Sequence, residues 1–395
     1  MNLPSTSAHR PNADRLPLGG LLALAMAAFI TLLTEIAPAG LLSSIAAGLR
    51  VSDALAGQFI TAYAVGALLA AIPVTMLTQG MRRRPLLLTA LLGFAAVNLV
   101  TALSGHYLLS LAARWLAGVF GGVVWSLLAG YAIRMSPRHL SGRAIAISGT
   151  GAIVALVLGV PLGAMLGRYL GWQGTFGLMS ALALLLAVWV LAIVPDFPGQ
   201  SRGERLSLIG ILLRPGIRGV LFVVFTFVAA HNILYIYVEP LLQASGLSAD
   251  VERVLLVFGL GSIVGLWFVG AQVDRQLRRL AVASVLVFIL AVLLLGTWRA
   301  NPLAVYLSVA IWGLAVGGFA TITQTALSRL AGDSMDVAQS MYTTGWNTAV
   351  AAGGAIGGML LARVGAGGLT WACLGMLATS LVGTLHFMNR ALRRQ

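Results

Sequence analysis

The residues best able to do chemistry in this chain are a few ionisable side chains inside long apolar stretches. Glu35 is one, in the segment TEIAPAGLL (34–42), and Arg114 and His231 are others. A charged side chain at the centre of a membrane-crossing helix costs about 3 kcal/mol, so it usually faces a cavity or a partner. Such groups can bind and release protons, and histidine titrates near neutral pH. Glu35 and His231 are therefore alternative candidates for a proton carrier.

Each of these residues also has a structural interpretation. Glu35 could be a fixed ion-pair partner, or it could hydrogen-bond backbone groups that Pro38 leaves free. His231 could be a hydrogen-bonded interior histidine. Glu239 lies close enough to the end of its apolar stretch to reach interfacial water. The sequence leaves these alternatives open.

Aromatic and amide side chains near the middle of apolar stretches form a second group of candidates. They could line an amphipathic cavity, where rings stack on a small molecule and polar groups hydrogen-bond to it. Packing against neighbouring helices or lipid is the alternative interpretation. The candidates are Tyr63, Trp125, Asn232, Tyr235, Trp346 and Asn347.

Other kinds of site are not predicted. Cys373 is the only cysteine and the five histidines lie far apart, so we expect no disulfide and no metal site. We recognise no nucleotide-binding loop and no pairing of a nucleophile with a base, so we expect neither an enzyme nor a bound cofactor.

The composition indicates that these residues sit in membrane-crossing helices. Hydrophobic residues make up 59% of the chain and charged residues 9%, whereas a soluble domain has about 25% charged residues. One crossing needs about 20 mostly apolar residues. An all-α polytopic membrane protein with twelve crossings is predicted, at 18–42, 56–79, 85–104, 108–133, 143–166, 172–194, 217–243, 251–273, 279–299, 303–329, 336–362 and 367–389.

The distribution of charge gives the orientation and the domain organisation. The net charge of +14 is spread between apolar segments, which is typical of membrane-protein loops and not of a nucleic-acid-binding face. All the basic residues are arginines, and they concentrate in alternate connections, so the positive-inside rule places both termini in the cytoplasm of a bacterial inner membrane. The predicted organisation is a cytoplasmic tail (1–17), a six-helix bundle (18–194), a cytoplasmic linker (195–216), a second six-helix bundle (217–389) and a cytoplasmic tail (390–395).

The two halves of the chain resemble each other at an offset of 195 residues. The shift places Gln79 on Asp274 in corresponding loops, with two arginines following each. It also aligns pairs of glycines spaced by four residues in the fourth and tenth segments and in the fifth and eleventh. Such glycines allow close approach of helices. We infer an internal duplication.

Loop motifs give a more specific resemblance, to transporters of the major facilitator superfamily of the drug:proton antiporter type. The family's motif has the form G-x-L-A-D-R-x-G-R-R-P. The segment GAQVDRQLRR (270–279) is similar to it through Asp274 and Arg275 among others, and TMLTQGMRRRP (75–85) through Arg83 and Arg84. Gln79 stands where the family has aspartate; a carboxylate there could pair with a helix end or an arginine, whereas glutamine can only hydrogen-bond.

Two further segments carry the resemblance. The fourth segment, ARWLAGVFGGVVWSLLAGYAIRMSP, is similar to the family's R-x-x-x-G-x-x-x-G element, with Arg114 as its embedded arginine. The fifth contains LGVPLGAMLG, which resembles the antiporter motif through Gly159, Pro161 and Gly163, although Val160 is inserted before the proline. The segments at 56–73 and 237–242 resemble groups that export drugs, sugars or nucleosides.

The resemblance implies a fold and a function. We expect a major facilitator fold of two pseudo-symmetric six-helix bundles, working by alternating access as a monomer in the lipid bilayer. The expected function is export of a small organic molecule, a drug, sugar or nucleoside, in exchange for protons. The alternatives are a proton symporter that imports a sugar or organic acid and, from different classes, a membrane enzyme or a sensor with a transporter fold.

Depth in the membrane links Glu35 to Arg114. Each lies about 10 Å below the outer surface, at 1.5 Å per helical residue, and the family architecture places the first and fourth segments beside the central cavity. Burial favours the protonated form of a carboxylate and a nearby arginine favours its charged form. We therefore predict a Glu35–Arg114 pair that forms and separates as the transporter changes conformation.

Overall fold

The computed structural model describes residues 15–200, 208–247 and 250–388, except for the side chains at 53, 54, 160, 161, 252, 387 and 388. Most of the predicted tail 1–17, part of the linker 195–216, the tail 390–395 and the Pro161 side chain lie outside this description. No strand occurs among the described residues. Their α-helices, in chain order, are α1 (Leu18–Ile36), α2 (Leu42–Leu49), α3 (Asp53–Thr78), α4 (Arg83–Leu103), α5 (Tyr107–Met135), α6 (Ser141–Ile193), α7 (Leu208–Leu212), α8 (Ile217–Ile236), α9 (Val238–Leu242), α10 (Val251–Thr297), α11 (Pro302–Gly317), α12 (Phe319–Ala331), α13 (Met335–Val364) and α14 (Ala366–Gly383).

The predicted number of membrane crossings agrees with the helix lengths. Ten continuous helical stretches among the described residues are long and apolar enough to cross a membrane. Two of these, of 45 and 63 residues, are more than twice as long as the roughly 20 residues that one crossing needs. Each therefore accommodates two crossings, which gives twelve in total.

Sharp turns separate crossings within the two longest α-helices. The backbone of α6 turns at Gly171, with φ 71° and ψ 169°, a region that glycine enters at little cost. The backbone of α10 turns at Gln276, with φ −125° and ψ 28°. These turns lie between the fifth and sixth predicted segments and between the eighth and ninth.

The first crossing differs from the prediction in one respect that concerns the site. The apolar segment 18–42 is not one α-helix, because α1 ends at Ile36 and a 3₁₀ helix (Ala37–Leu41) follows it. Pro38 lies at the start of that 3₁₀ helix and cannot donate a backbone hydrogen bond to the preceding turn. Glu35 is thereby placed in the last turn of α1, beside irregular backbone.

The contacts between helices repeat at the same offset as the sequence. A Cβ atom at Gly118 of α5 would overlap the Tyr63 carbonyl of α3, and a Cβ atom at Gly313 of α11 would overlap the Phe258 carbonyl of α10. The shift of 195 residues carries each member of the first pair onto the corresponding member of the second. Both pairs of helices need glycine for their backbones to approach.

Buried apolar side chains form separate cores in the two halves. One large cluster draws on residues from Ile211 to Leu377, with Ala129 as its only member from the first half. Two further clusters lie within residues 21–194. This division agrees with two six-helix bundles that meet along a central interface.

Candidate functional site

Arg114 of α5 is fully buried in the first half of the chain. Its Nη2 donates a hydrogen bond of 2.8 Å to the carbonyl oxygen of Thr34. Its guanidinium carbon lies 5.1 Å from the centroid of the Tyr63 ring and 5.4 Å from that of Phe176, distances at which rings stabilise a cation. Nε and Nη1 make no hydrogen bond with any described residue. The guanidinium is therefore held in place but retains two free donors.

Glu35 follows Thr34 directly and is half-buried. The Arg114 charge acts on its carboxylate, yet no ion pair or hydrogen bond joins Glu35 to another described residue. The structure thus brings the two predicted partners near each other without closing the pair. The alternative in which Glu35 hydrogen-bonds the backbone beside Pro38 is also not realised in this conformation.

Tyr63 and the glycines of the fifth segment hold this region together. The Tyr63 hydroxyl donates to the carbonyl of Thr31 at 3.2 Å, which ties α3 to α1. Gly159 faces the Ile36 side chain, and Gly163 faces the backbone of Ala37. The glycines therefore allow α6 to pack closely against α1 where α1 ends, next to Glu35.

A group of rings lies in the second half, and we call His231, Tyr235, Phe258 and Trp312 the aromatic cluster. The His231 ring centroid lies 5.3 Å from that of Tyr235, 5.6 Å from that of Phe258 and 5.4 Å from that of Trp312. His231 and Tyr235 are half-buried, whereas Phe258 and Trp312 are buried behind them. His231 Nδ1 and Trp312 Nε1 have no hydrogen-bond partner among the described residues. The cluster presents ring faces, and its two unpaired polar atoms are buried in this conformation.

The remaining predicted binding residues are more dispersed. The Asn232 side chain turns back to its own helix and donates to the Val228 carbonyl at 2.9 Å. Trp346 lies 5.8 Å from the Tyr342 ring. Trp125 and Asn347 are half-buried. The structure therefore groups Tyr63 with Glu35 and Arg114, and Tyr235 with His231.

The two sites are not repeated by the internal symmetry. A shift of 195 residues places Glu35 on Ala230, and Arg114 on Val309. It places Ala117 on Trp312. The charged site therefore belongs only to the first half and the tryptophan of the aromatic cluster only to the second. Sequence reasoning missed Trp312, which looks like one more apolar residue of its segment; its position beside the repeated Gly313 was the available signal.

A buried carboxylate that the sequence analysis did not single out joins the two halves. Asp336, in the first turn of α13, lies 2.8 Å from Nη2 of Arg83. It also accepts two hydrogen bonds from Arg134 of α5, both of 3.0 Å. Asp336 and Arg83 are each 1% exposed. We call this three-residue contact the Asp336 latch.

Asp274 makes a second contact between the halves. One of its carboxylate oxygens accepts from the backbone N–H of Gly142 at 2.6 Å and the other from that of Arg143 at 3.0 Å. It therefore caps the first turn of α6, where a negative charge is favourable. We call this contact the Asp274 cap.

The internal repeat relates the latch to the cap and shows how Gln79 is accommodated. A shift of 195 residues places Gln79 on Asp274 and Ser141 on Asp336. The Gln79 side chain makes no hydrogen bond across the interface with any described residue: its Nε2 lies 2.8 Å from the sulfur of Met76, and its Oε1 has no partner. The carboxylate of the first copy is instead supplied from the other side, by Asp336, while Arg83 of the loop provides the positive charge. A carboxylate therefore joins the halves in both copies, but the loop contributes the carboxylate in the second copy and the positive charge in the first.

The other loop arginines have different surroundings. The backbone N–H of Arg84 and the side chain of Arg82 both donate to Asp196, at 3.0 Å and 2.6 Å. Burial raises the pKa of the Asp196 carboxyl, but these two hydrogen bonds outweigh burial and hold the pKa below its usual value. Arg275 is exposed.

The Asp336 latch and the Asp274 cap close one end of the interface between the halves. We call this end, which carries Arg83, Arg134 and Arg143, the arginine-rich end. The side-chain hydrogen bonds and ion pairs that join the two halves among the described residues lie here. Glu35 and His231, both half-buried, take part in none of these contacts. The structure is therefore a conformation closed at the arginine-rich end.

Comparison with known proteins identifies relatives over nearly the whole chain. The sequence model of the Major Facilitator Superfamily matches residues 24–335. A probable sugar efflux transporter of Helicobacter pylori (strain ATCC 700392 / 26695) is 30% identical over 357 residues, covering 89% of this chain and 91% of that protein. A probable sugar efflux transporter of Mannheimia succiniciproducens is 29% identical over 364 residues, covering 90% of each.

Solved structures share the fold at low sequence identity. The human organic anion transporter MFSD10 (TETRAN) superposes with a TM-score of 0.75 at 18% identity, covering 95% of this chain and all of that one. The proton:xylose symporter XylE bound to 6-bromo-6-deoxy-D-glucose gives a TM-score of 0.75 at 15% identity, covering 94% of this chain and 96% of that one. The predicted fold of two pseudo-symmetric bundles is confirmed.

Proposed function

Because the chain belongs to the Major Facilitator Superfamily and is a membrane transporter rather than an enzyme, we propose that it exports a sugar in exchange for protons. The single observation that carries proton coupling is Glu35, an unpaired carboxylate in a membrane-crossing helix beside a buried arginine with two free donors. The names of the relatives, which are called sugar efflux transporters, support the direction and the substrate class.

The arginine-rich end faces the cytoplasm in this proposal. Basic residues concentrate in cytoplasmic loops of inner-membrane proteins, and this end holds the loops that contain Arg83 and Arg143. The conformation described above is then closed toward the cytoplasm. Glu35 is half-buried and unpaired among the described residues, and in this state it would accept a proton from the outer side.

Proton release follows from movement of α1 relative to α5. The rings of Tyr63 and Phe176, which belong to other helices, hold the Arg114 guanidinium at one depth, while its hydrogen bond to the Thr34 carbonyl ties it to the last turn of α1. When the arginine-rich end opens and the outer end closes, this last turn rotates, so that the Glu35 carboxylate reaches the free Nη1 and Nε of Arg114. A carboxylate paired with a guanidinium favours its charged form, so the proton leaves to the cytoplasm.

Sugar binding is assigned to the aromatic cluster. Ring faces pack against the apolar faces of a pyranose, and polar atoms around them fix its hydroxyl groups. His231 and Tyr235 present accessible surface, and His231 Nδ1 and Trp312 Nε1 have unused hydrogen-bonding capacity. The proton site in the first half and the sugar site in the second half would then be coupled by the motion of the two halves.

The test is sugar-driven proton movement in liposomes that contain a trapped pH-sensitive dye. We expect a pulse of exported sugar to move protons with the wild-type protein. Glu35→Gln should bind the same sugar but move protons no faster than protein-free liposomes. Glu239→Gln is the matched control, because Glu239 is an exposed carboxylate in the same half-chain as the aromatic cluster, and it should behave as wild type.

The outcomes separate the parts of the proposal. If Glu35→Gln still couples, Glu35 is structural and His231 becomes the candidate carrier. If protons and sugar move in the same direction, the protein is a symporter and imports its substrate. If no sugar moves protons while another small organic molecule does, the aromatic cluster has been assigned the wrong substrate class.

A further inference from the structure

A cavity of about 960 Å³ lies at the arginine-rich end, away from both sites described above. Four arginines line it, and we call them the basic wall: Arg275, Arg278, Arg279 and Arg329. Apolar side chains that include Leu286 and Leu385 also line it, and we call them the apolar wall. The cavity therefore combines a strongly basic lining with an apolar one.

The turn in α10 creates the basic wall. Arg275 precedes the turn at Gln276, and Arg278 and Arg279 follow it, so the turn brings charges from two helical limbs together. Arg329, in the last turn of α12, donates to the backbone carbonyl of Asp274 at 2.8 Å, which fixes the neighbouring helix against the turn.

Among the described residues, no carboxylate forms an ion pair with Arg275, Arg278 or Arg279. Asp274 is the acidic residue of this loop, and both of its oxygens accept backbone N–H groups of α6. The cavity thus carries an excess of positive charge at the depth of a membrane surface.

The apolar wall continues along the outside of the protein. Leu286 lies about 10 Å beyond Arg279 along the helix, at 1.5 Å per residue. Leu286, Leu290 and Leu293 are 48%, 49% and 42% exposed, and their spacing places them on one face of the helix. An apolar stripe therefore runs from the basic cavity toward the middle of the bilayer.

We propose that this cavity binds the head group of an anionic phospholipid, with one acyl chain lying along the stripe of Leu286, Leu290 and Leu293. Guanidinium groups form paired hydrogen bonds with phosphate oxygens, and basic residues at the cytoplasmic surface attract anionic lipids. The stripe provides a surface for the acyl chain of an amphipathic ligand. A soluble anion would leave this stripe uncovered. The inference depends on the membrane fold and not on sugar export.

The experiment measures lipid binding to the purified, delipidated full chain by native mass spectrometry. The probes are palmitoyl-oleoyl phosphatidylglycerol, the matching phosphatidylcholine, and inorganic phosphate. The variant is Arg275→Gln/Arg278→Gln/Arg279→Gln, which leaves Arg329 and its hydrogen bond intact. The control is Arg168→Gln/Arg299→Gln/Arg363→Gln, which removes three exposed arginines that lie outside the cavity.

We expect the wild type to prefer phosphatidylglycerol over phosphatidylcholine. Each basic residue near an anionic lipid surface contributes about 1 kcal/mol, or about fivefold in affinity, so the triple variant should lose on the order of a hundredfold. The control should keep the wild-type affinity. Equal binding of the two lipids by the wild type, or retained phosphatidylglycerol binding in the triple variant, would overturn the proposal.

A second set of variants controls for misfolding of the glutamine variant and distinguishes binding of a lipid from binding of a free anion. Replacing the same three arginines by lysine keeps the charge and should keep most of the binding, even if the glutamine variant is unstable. Leu286→Asn/Leu290→Asn should weaken phosphatidylglycerol binding while leaving phosphate binding unchanged. If inorganic phosphate competes as strongly as the lipid and the leucine changes have no effect, the cavity binds soluble anions and the lipid assignment is wrong.

Discussion

The Asp336 latch makes a quantitative prediction about the conformational equilibrium. Asp336→Asn removes the negative charge shared by Arg83 and Arg134, while the shape of the side chain is nearly unchanged. Arg83 stays at the interface, 1% exposed, with only carbonyl oxygens such as that of Gln79, at 3.2 Å, as partners. The closed conformation then contains a buried charge without a counter-ion. An opened interface would let water reach that charge, so we expect the change to favour opening.

The magnitude follows from burial of the pair. Removing one partner of a buried ion pair costs about 3–5 kcal/mol. The Arg134 side chain is 22% exposed, so losing the Arg134–Asp336 ion pair resembles losing a surface pair and adds about 1 kcal/mol or less. Because Arg83 keeps its carbonyl partners, we expect the total cost to lie near the lower end of the range, about 3 kcal/mol. Because 1.4 kcal/mol is about a tenfold change in equilibrium constant, the ratio of closed to open molecules should fall about a hundredfold.

Distance measurements between the halves provide the assay. Met81 and Gln276 are exposed, lie in corresponding loops of the two halves, and can each be replaced by cysteine for spin or dye labelling. The buried native Cys373 is replaced by alanine. In lipid nanodiscs, Asp336→Asn should shift most of the population to a longer distance between the labels. Asp333→Asn removes an exposed carboxylate three positions earlier and should leave the distribution unchanged.

A double-mutant cycle sharpens the test. Arg83→Gln combined with Asp336→Asn removes both charges, so the double variant should be less open than Asp336→Asn alone. Should Asp336→Asn retain the wild-type distance distribution while remaining folded, the latch does not hold this end closed. Strict additivity in the cycle would mean that Arg83 and Asp336 act independently, and the reasoning would again be wrong.

Three further predictions concern the cap, the aromatic cluster and the loop carboxylate. Asp274→Asn removes the charge that caps α6, and such a cap contributes about 1 kcal/mol. The same labels should therefore show a smaller shift toward opening than for Asp336→Asn. An equal or larger shift would contradict the expectation that the Asp336 latch contributes more than the Asp274 cap. Trp312→Phe keeps a ring but loses Nε1–H, so sugar affinity should fall about fivefold for one lost hydrogen bond, measured by calorimetry, whereas Trp267→Phe, at a residue 66% exposed, should have no effect. The pKa of Asp196 is lowered, so its stabilising contacts are present above about pH 4 and are lost only as the pH falls through the lower folded-state value. Asp196→Asn should therefore leave the shape of the transport pH profile unchanged between about pH 5 and pH 8. A changed shape would show that this carboxylate titrates in that range.

The sequence alone was sufficient for the fold because the signals involved are local. Whether a segment crosses the membrane depends on the apolar character of its own roughly 20 residues, and the repeat is visible because both copies keep glycines and loop arginines at the same offset. An isolated glutamate in an apolar helix is informative by itself, because leaving it in lipid is costly. The types and depths of Glu35 and Arg114 therefore predict a pair, which stays a prediction because no ion pair joins them in this conformation.

The partners at the interface were decided by tertiary structure. Asp336 looks like an ordinary helix-start residue in the sequence, and its role appears only when α13 meets α4 and α5; Arg134, one of its partners, is 202 residues away. Trp312 gained significance in the same way, from its packing beside His231. Glu35 and Arg114 are near neighbours but form no ion pair among the described residues, and this spacing depends on how the ends of α1 and α5 pack. Such contacts depend on how two bundles pack against each other, and no single apolar segment carries that information.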